Sequence, residues 1–429
     1  MKKIVLSTFG SFGDIHPYVA LALELKRRGH RPVIATSEVY REKTDAVGLE
    51  LHAVRPSLPS YDQPDEVSRM VVDFMDAKKG TERIFNWLTA HLRDAYDDTL
   101  AAADGADLLL THPLPFVGPI VAEKTGVPWV SSVLAPMSFF SAYDPSTPPQ
   151  FPRSHDLLKL GPLVGRPYAW LVRLLSKRMV APVARLRAEV GLPPGRNPLF
   201  EGQHSPTLVL ALFSKVLGEP QPDWPPNTRV TGFPFYDRRD RAGKHNSVAP
   251  ELLDFLDAGE PPIVFTLGSS AFWAAEDFYT ESIEAARAVG RRALLLIGDE
   301  RNRPAAPLPE GVAAFEYAPF GEVLPRAAAV VHQGGVGTTG QALRAGRPAL
   351  VVPFSHDQFD NGNRVARAGC GLMLPRAQYN AARAARALRE MSEHESYATN
   401  AAEAARVIES EDGANTACDA LEEVLRTED

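Results

Sequence analysis

The sequence predicts an α/β protein built from two doubly wound parallel-sheet domains that face each other across a cleft. Three observations carry this. Short apolar runs alternate with stretches of helical periodicity through both halves of the chain. The alternation breaks at a proline-rich stretch near residue 223 and then restarts. The 429 residues also exceed what one hydrophobic core ordinarily holds.

In the first half, Lys3–Phe9 reads as a strand. His16–Arg28 follows with Val19, Ala20, Ala22 and Leu23 at helical spacing, and stops at Gly29. Arg31–Thr36 and Leu49–Val54 read as the second and third strands. Asp65–Ala103 reads as helical with a break near Gly80. Asp107–Thr111 and Trp129–Leu134 are further strands, separated by a helix around Pro119–Lys124. The prolines between Tyr143 and Pro167 predict a long loop. A helical stretch over Tyr168–Val190 follows, and Leu208–Leu212 completes the first sheet. EPQPDWPPNTRVTGFPFYD then reads as a linker. In the second half, strands are predicted at Ile263–Leu267, Ala293–Ile297, Ala313–Tyr317, Ala328–His332 and Ala349–Val352, with a helical tail over Ala381–Arg426. The expected division is a first domain at 1–222, a linker at 223–241 and a second domain at 242–410. A closing helix at 411–429 is expected to pack back on the first domain.

An apolar share of 45% and a charged share of 23% belong to a globular protein. A net charge of −7 argues against general nucleic-acid affinity. Two cysteines, Cys370 and Cys418, make neither a disulfide framework nor a CxxC metal spacing, so a reducing cytoplasm is the expected compartment. MKKIVLSTFGSFGD reads as a first strand rather than a signal peptide, and no apolar run is long enough to predict a membrane span. Between Arg153 and Arg196, nine Lys and Arg residues stand against Asp156 and Glu189. With Trp170, Leu171, Leu174 and Leu175 the expected reading is a solvated face over a packed stripe. The rival reading is contact with an anionic membrane surface.

The most informative stretch is VVHQGGVGTTGQALRAGRPALVVPFSHDQFDN, from Val330 to Asn361. An apolar run ends in His332, a glycine turn follows, and a helical pattern begins near Gly337. A second apolar run ends in Pro353, with His356, Asp357 and Gln358 just beyond. Strand, Gly-rich loop, helix, strand and polar loop in this order bind a nucleotide-linked group at the carboxyl ends of a parallel sheet. Gly334, Gly335 and Gly337 let backbone amides approach phosphate oxygens, and the helix start adds the positive end of its dipole. Asp357 and Gln358 offer a carboxylate and an amide to polyhydroxy cargo.

Together these segments resemble the donor-binding signature of the family 1 glycosyltransferases of GT-B fold, whose two Rossmann-like domains enclose a cleft. The residues that match it are His332, Gly334, Gly335, Gly337, Thr338, Pro353, Asp357, Gln358 and Asn361. Upstream, YAPF (Tyr317–Phe320) resembles the segment that meets the nucleotide base. FTLGSS (Phe265–Ser270) resembles the pyrophosphate loop, and GSFGDIHP the first loop that carries the catalytic base. The DWP…TGFP and HDQFDN segments are similar to those of bacterial members such as the rhamnolipid rhamnosyltransferase.

The resemblance implies an inverting hexosyltransferase that uses a UDP- or dTDP-sugar, needs neither metal nor other cofactor, and glycosylates a hydroxyl of a hydrophobic small molecule. Phenolic, polyketide, flavonoid, sterol and lipid acceptors all suit it. The donor would bind the second domain through Gly13, Ser269, Tyr317, His332, Gly334, Gly335, Gly337, Thr338, Asp357, Gln358 and Asn361. The acceptor would bind the first. Asp14 is the expected general base, because a positioned carboxylate can take the acceptor proton as the transition state forms. The plain alternative for Asp14 is a helix N-cap with a lowered pKa. His16 is the rival base. His112, Phe116, Met137, Phe139 and Phe140 are the candidate acceptor pocket, although most buried aromatics are simply core. In one departure, Thr339, Gly340 and Gln341 stand where many members carry a glutamate for the ribose hydroxyls. Alternatives from the same fold are a nucleotide-sugar epimerase and a rhamnosyltransferase acting on a hydroxy-fatty lipid at a membrane surface. A non-catalytic nucleotide-sugar-binding protein is a third.

Overall fold

A computed structural model describes residues 1–150, 160–237 and 248–428. In the first half, β1 (Lys3–Ser7), α1 (Phe12–Arg27), β2 (Arg31–Thr36), α2 (Arg41–Ala46) and β3 (Glu50–Ala53) are followed by three helices, α3 (Pro64–Phe74), α4 (Gly80–Ala90) and α5 (Leu92–Ala102). Then come β4 (Leu108–Thr111), α6 (Gly118–Thr125), β5 (Trp129–Val133), α7 (Pro162–Ser176), α8 (Ala181–Glu189), β6 (Val209–Ala211) and β7 (Thr228–Val230). The second half runs α9 (Pro250–Asp257), β8 (Ile263–Thr266), α10 (Phe278–Ala288), β9 (Ala293–Leu296), β10 (Val312–Phe315), α11 (Phe320–Val323) and β11 (Ala329–His332). It ends with α12 (Val336–Arg344), β12 (Ala349–Val351), α13 (Gln358–Arg367), β13 (Gly371–Met373), α14 (Ala381–Glu393), α15 (Glu395–Glu409) and α16 (Gly413–Glu428).

The first sheet has the order β3-β2-β1-β4-β5-β6-β7 and the second β10-β9-β8-β11-β12-β13. Every pairing is parallel. The strands are apolar throughout because helices cover both faces. Ile4, Leu6, Leu108 and Leu110 pack under α1 and α16, while Val5, Val33 and Leu109 pack under α5 and α6. In both sheets the strand order reverses beside the first strand, at β1/β4 and at β8/β11. A crevice opens at such switch points, outside the carboxyl ends of the strands. The loops after β1, β8 and β11 are the three glycine-rich segments singled out from the sequence.

Several spans differ from expectation. The loop expected over 143–167 gives way to α7 at Pro162, because Pro at the first helical turn needs no N–H partner there; residues 151–159 lie outside the described residues. Within the stretch expected as linker, Thr228–Val230 joins the first sheet as its edge strand, and 238–241 lie outside the described residues. The apolar stripe of α7 is not packed. Trp170 is 64% and Leu175 70% exposed, with Leu163, Leu171 and Leu174 also on the surface. That overturns the packed-stripe reading.

The two halves are held together at both ends. Ala417, Cys418, Leu421 and Leu425 of α16 enter the core beneath α1, and Arg28 bonds Asp419, Glu422 and Asn415. One apolar cluster runs from Val209, Phe213 and Trp224 to Phe233, Leu252 and Val330. Beside it, Arg364 is buried in ion pairs with Asp360 and Asp144 and also donates to the Leu217 carbonyl. Asp360 in turn accepts from the Thr147 N–H at 2.9 Å.

Removing one member of a buried ionic cluster strands the others, at a cost of about 3–5 kcal/mol. Arg364→Met is therefore expected to lower the thermal unfolding midpoint by roughly 5 °C in differential scanning calorimetry. An unchanged midpoint would show that this cluster does not hold the halves together.

Candidate active site

The first wall of the cleft is the turn after β1. Ser11 is the N-cap of α1, its hydroxyl accepting from Gly13 N–H at 3.2 Å. Asp14 is the third helical residue, not the cap. Its Oδ2 accepts the Ser11 N–H at 2.7 Å, the reciprocal half of a capping box. Gly10 has φ +136°, and a Cβ there would stand 2.2 Å from Asp14 Oδ2, so glycine is required at this position. Tyr40 holds the same turn by donating to the Gly10 carbonyl at 2.6 Å. Burial pushes the Asp14 carboxyl up to about 6, against the lowering effect of the Ser11 hydrogen bonds. The alternative of an N-cap with a depressed pKa thus gives way to a carboxylate held near neutrality at the third helical position.

His16 lies one helical step on. Its ring stacks on Phe12 at 5.4 Å and meets Tyr236 at 5.1 Å. This packs it on the flank of α1 between aromatic rings.

The second wall is the switch point of the other sheet. His332, fully buried at the end of β11, accepts the Gly334 N–H on Nδ1 at 3.0 Å. Burial drives its pKa down to about 3, so the ring is neutral. With Nδ1 an acceptor, the proton sits on Nε2, which is buried without a protein partner. Gly334, at φ +90°, lies so close to β12 that a Cβ would stand 2.7 Å from Val351 Cγ1. Gly335 caps α12 without a side chain, leaving the first amides of the helix without internal partners. A Cβ on Gly337 would meet open space. Thr338 is buried against the Gly268 turn, and Ser269 reaches the Ser11 hydroxyl at 3.5 Å across the cleft. An orphaned buried N–H beside an uncapped helix start fits a phosphate group.

The third wall is the loop before α13. Asn361 donates to Asp357 Oδ2 at 2.8 Å and to the Gly334 carbonyl at 2.9 Å, which ties this loop to the glycine turn. The Asp357 carboxyl is pushed up to about 7, first by burial and then by the negative charge of Asp14 across the cleft. Gln358 does less for cargo than expected. Its Oε1 accepts the N–H groups of Phe354 and Ser355, so only its amide N–H remains for a ligand, and that faces Met75 Sδ at 3.9 Å. Tyr317 is 58% exposed at the end of the second sheet, which places it outside the core.

The acceptor candidates divide. Phe116 packs on Phe85 at 5.2 Å, and Phe139 stacks on Trp224 at 4.1 Å; both are core. His112 accepts a Leu114 N–H, and burial lowers it to about 4. Met137 and Phe140 are half-buried. A cavity of about 980 Å³ in the first domain is lined by Phe116, Phe139 and Trp224, and none of its walls comes from the three loops described above.

Two contributors escaped the sequence. Gln333 lies between the Gly268 and Gly335 turns; a Cβ on Gly268 would stand 2.2 Å from its Nε2. It was legible as part of the glycine segment, though no residue type marked it. The loop between α3 and α4 left no motif at all. It clamps the Asp357 loop from the other domain: Ser355 donates to the Asp76 carbonyl at 3.3 Å, and His356, at φ +54°, bonds the Phe74 backbone.

Comparison with known proteins agrees with this architecture. Residues 4–142 match the glycosyltransferase family 28 N-terminal domain, and residues 282–423 the erythromycin biosynthesis protein CIII-like C-terminal domain. The O-mycaminosyltylonolide 6-deoxyallosyltransferase of Streptomyces fradiae is 32% identical, covering 99% of this chain and 98% of its own length. A sterol 3-beta-glucosyltransferase of Neurospora crassa is 28% identical over 87% of this chain, which spans only 24% of that longer protein. Among solved structures, the kitacinnamycin glycosyltransferase aligns with a TM-score of 0.70 at 22% identity, covering 99% of each chain. The spinosyn rhamnosyltransferase complexed with thymidine diphosphate gives 0.66 at 17%, covering 98% of this chain and 100% of that one. Two parallel sheets with matched switch points, a Gly-rich donor turn and a full-length relative agree: the chain belongs to the family 1 glycosyltransferases and has their GT-B fold.

Proposed function

We propose that this enzyme transfers a hexose, with inversion, from a UDP- or dTDP-sugar to a hydroxyl group of a hydrophobic small molecule, with Asp14 as general base. The observation that carries the proposal is the pairing of Asp14 and Asp357 across the cleft, one from each domain, beside the unpartnered Nε2–H of His332. Asp14, with a pKa of about 6, is ionised at neutral pH yet basic enough to accept a proton. The acceptor oxygen attacks the anomeric carbon from one face as the bond to the diphosphate oxygen breaks on the other. The acceptor proton passes to Asp14, and the electron pair of the broken bond leaves with the diphosphate. His332 Nε2–H and the first amides of α12 meet that growing charge, so no metal is invoked. Asp357 and the Gln358 amide would hold sugar hydroxyls, and Tyr317 the base.

The nucleotide and the acceptor draw on different support. A thymidine diphosphate complex is recorded for fold neighbours. No carboxylate stands at the ribose position of α12, where a Cβ on Gly340 would approach the Phe233 ring at 3.1 Å; a donor without a 2′-hydroxyl would leave no partner unmet. The names of the relatives, a tylonolide-type glycosyltransferase and sterol glucosyltransferases, favour a polyketide or sterol-like acceptor.

A panel of UDP- and dTDP-sugars against macrolide, sterol and phenolic acceptors, read by mass, tests the reading. Donor epimerised in the absence of acceptor would replace it with an epimerase. Asp14→Asn is expected to lower kcat by roughly 10²–10⁴-fold with donor affinity kept, and kcat/KM of the wild type to fall below about pH 6. Full transfer by Asp14→Asn would remove the base from the mechanism. His332→Leu should instead weaken nucleoside diphosphate binding, measured by calorimetry.

Both carboxyls titrate above the ordinary aspartate value of about 3.9, so the folded state holds protons that the unfolded chain has released. Their favourable contribution is complete below about pH 4 and is lost as pH rises through about 6 and 7. Asp357→Asn should therefore raise the melting temperature of the ligand-free protein at pH 8, by roughly 5 °C, and leave it unchanged at pH 4. A lower melting temperature at pH 8 would contradict the buried, charge-opposed carboxylate.

A further inference from the structure

The outward face of α7 has no role in the transfer chemistry and is unusual for a protein surface. Leu163, Trp170, Leu171, Leu174 and Leu175 are exposed along one side of a 15-residue helix. Trp170, Leu171, Leu174 and Leu175 stand three and four residues apart, and Leu163 lies two turns before Trp170, so the five share one side of the helix. Soluble proteins seldom leave such a patch uncovered without a partner for it.

The helix itself is firmly seated, so the exposure is not looseness. Gly165 lies flush on the preceding loop, where a Cβ would stand 2.8 Å from the Ala142 carbonyl. Arg166 donates to the Tyr143 hydroxyl at 3.0 Å. That loop is pinned by Asp223, which accepts from the Ser141 hydroxyl and the Ala142 N–H.

Charge identifies the occupant. The chain carries a net −7, yet residues 160–188 hold six basic residues and no carboxylate. Arg173 is answered by Glu201. Arg166, Lys177 and Arg178 lie exposed along the apolar stripe. Apolar side chains with a tryptophan, bordered among the described residues mainly by basic side chains, suit the boundary between headgroups and acyl chains of an anionic bilayer. A two-fold contact between α7 helices would bring the Arg166, Lys177 and Arg178 of two copies into one interface, which disfavours a second copy of this chain.

We propose that α7 is a peripheral docking surface for anionic lipid bilayers. It inserts Leu163, Trp170, Leu171, Leu174 and Leu175 at the headgroup boundary, while Arg166, Lys177 and Arg178 meet lipid phosphates. Because α7 rests on the loop that bears Asp144, and Asp144 pairs with Arg364 beside the donor site, the docked surface adjoins the cleft.

Flotation of the full-length protein with phosphatidylcholine vesicles, with and without phosphatidylglycerol, tests this directly. Binding is expected only with phosphatidylglycerol, weakened by high salt. It should fall at least ~10-fold in Leu174→Ser/Leu175→Ser and in Lys177→Glu/Arg178→Glu. Both variants should keep the wild-type circular dichroism spectrum and melting temperature, since none of the four side chains is buried. No flotation of the wild type would overturn the proposal. So would a dimer in light scattering that Leu174→Ser/Leu175→Ser converts to monomer, because a second copy would then cover the stripe.

Discussion

The negative charges of Asp14 and Asp357 oppose each other across one desolvated cleft, and much of the surrounding structure manages that repulsion. Among the described residues, neither carboxylate has a basic side chain as its hydrogen-bond partner. Asp14 is held by Ser11, and Asp357 by Asn361, both neutral donors. A lysine or arginine in either place would lower the carboxyl by ion pairing and remove its basicity. Neutral hydrogen bonds orient the group and leave its proton affinity high.

Holding two such groups together requires restraint from elsewhere in the chain. The matched switch points of the two sheets bring the relevant strand ends into one crevice. The buried cluster of Arg364, Asp360 and Asp144 then fastens the halves a short way from the carboxylates. The loop between α3 and α4 fastens them from the other side through Ser355 and His356. The left-handed φ of His356 fits this position, since strained backbone persists where packing on both sides over-determines it.

What could be read from the sequence follows from how local each feature is. The proposed phosphate cradle is local: His332, Gly334 and Gly335 fall within four consecutive positions, and each shape requirement falls on a residue type that announces it. Asp14 was legible for the same reason, although its capping role was misassigned by three residues, because Ser11 in the same turn caps better and the carboxylate completes a capping box instead. Gln358 was only half legible, because an amide can satisfy its own loop as readily as a ligand, and the N–H groups that its Oε1 accepts are set by the fold of that loop. Phe116 and Phe139 could not be placed from the sequence, since burial does not say whether an aromatic after a strand fills a core or, as both do here, also borders a cavity. The α3–α4 clamp acts mainly through backbone carbonyls, which any residue supplies, so it left no trace in composition or spacing.

The same logic separates the two domains chemically. A diphosphate presents one fixed pattern of charge, and a strand end with a helix start is a general answer to it; the donor side therefore reads as a motif. A hydrophobic acceptor presents shape alone, and shape is met by side chains from separate loops, for which Met137 and Phe140 after β5 are the candidates. Those positions carry no obligatory residue type. The outward face of α7 is the exception on the acceptor side, because an apolar stripe bordered mainly by basic residues carries a charge pattern as well as a shape. Its spacing is visible in the sequence, but periodicity alone cannot say whether a stripe faces in or out. The seating of Gly165 on Ala142 and of Ser176 against Asn197 turns that stripe outward, which makes the direction of α7 a tertiary fact rather than a local one.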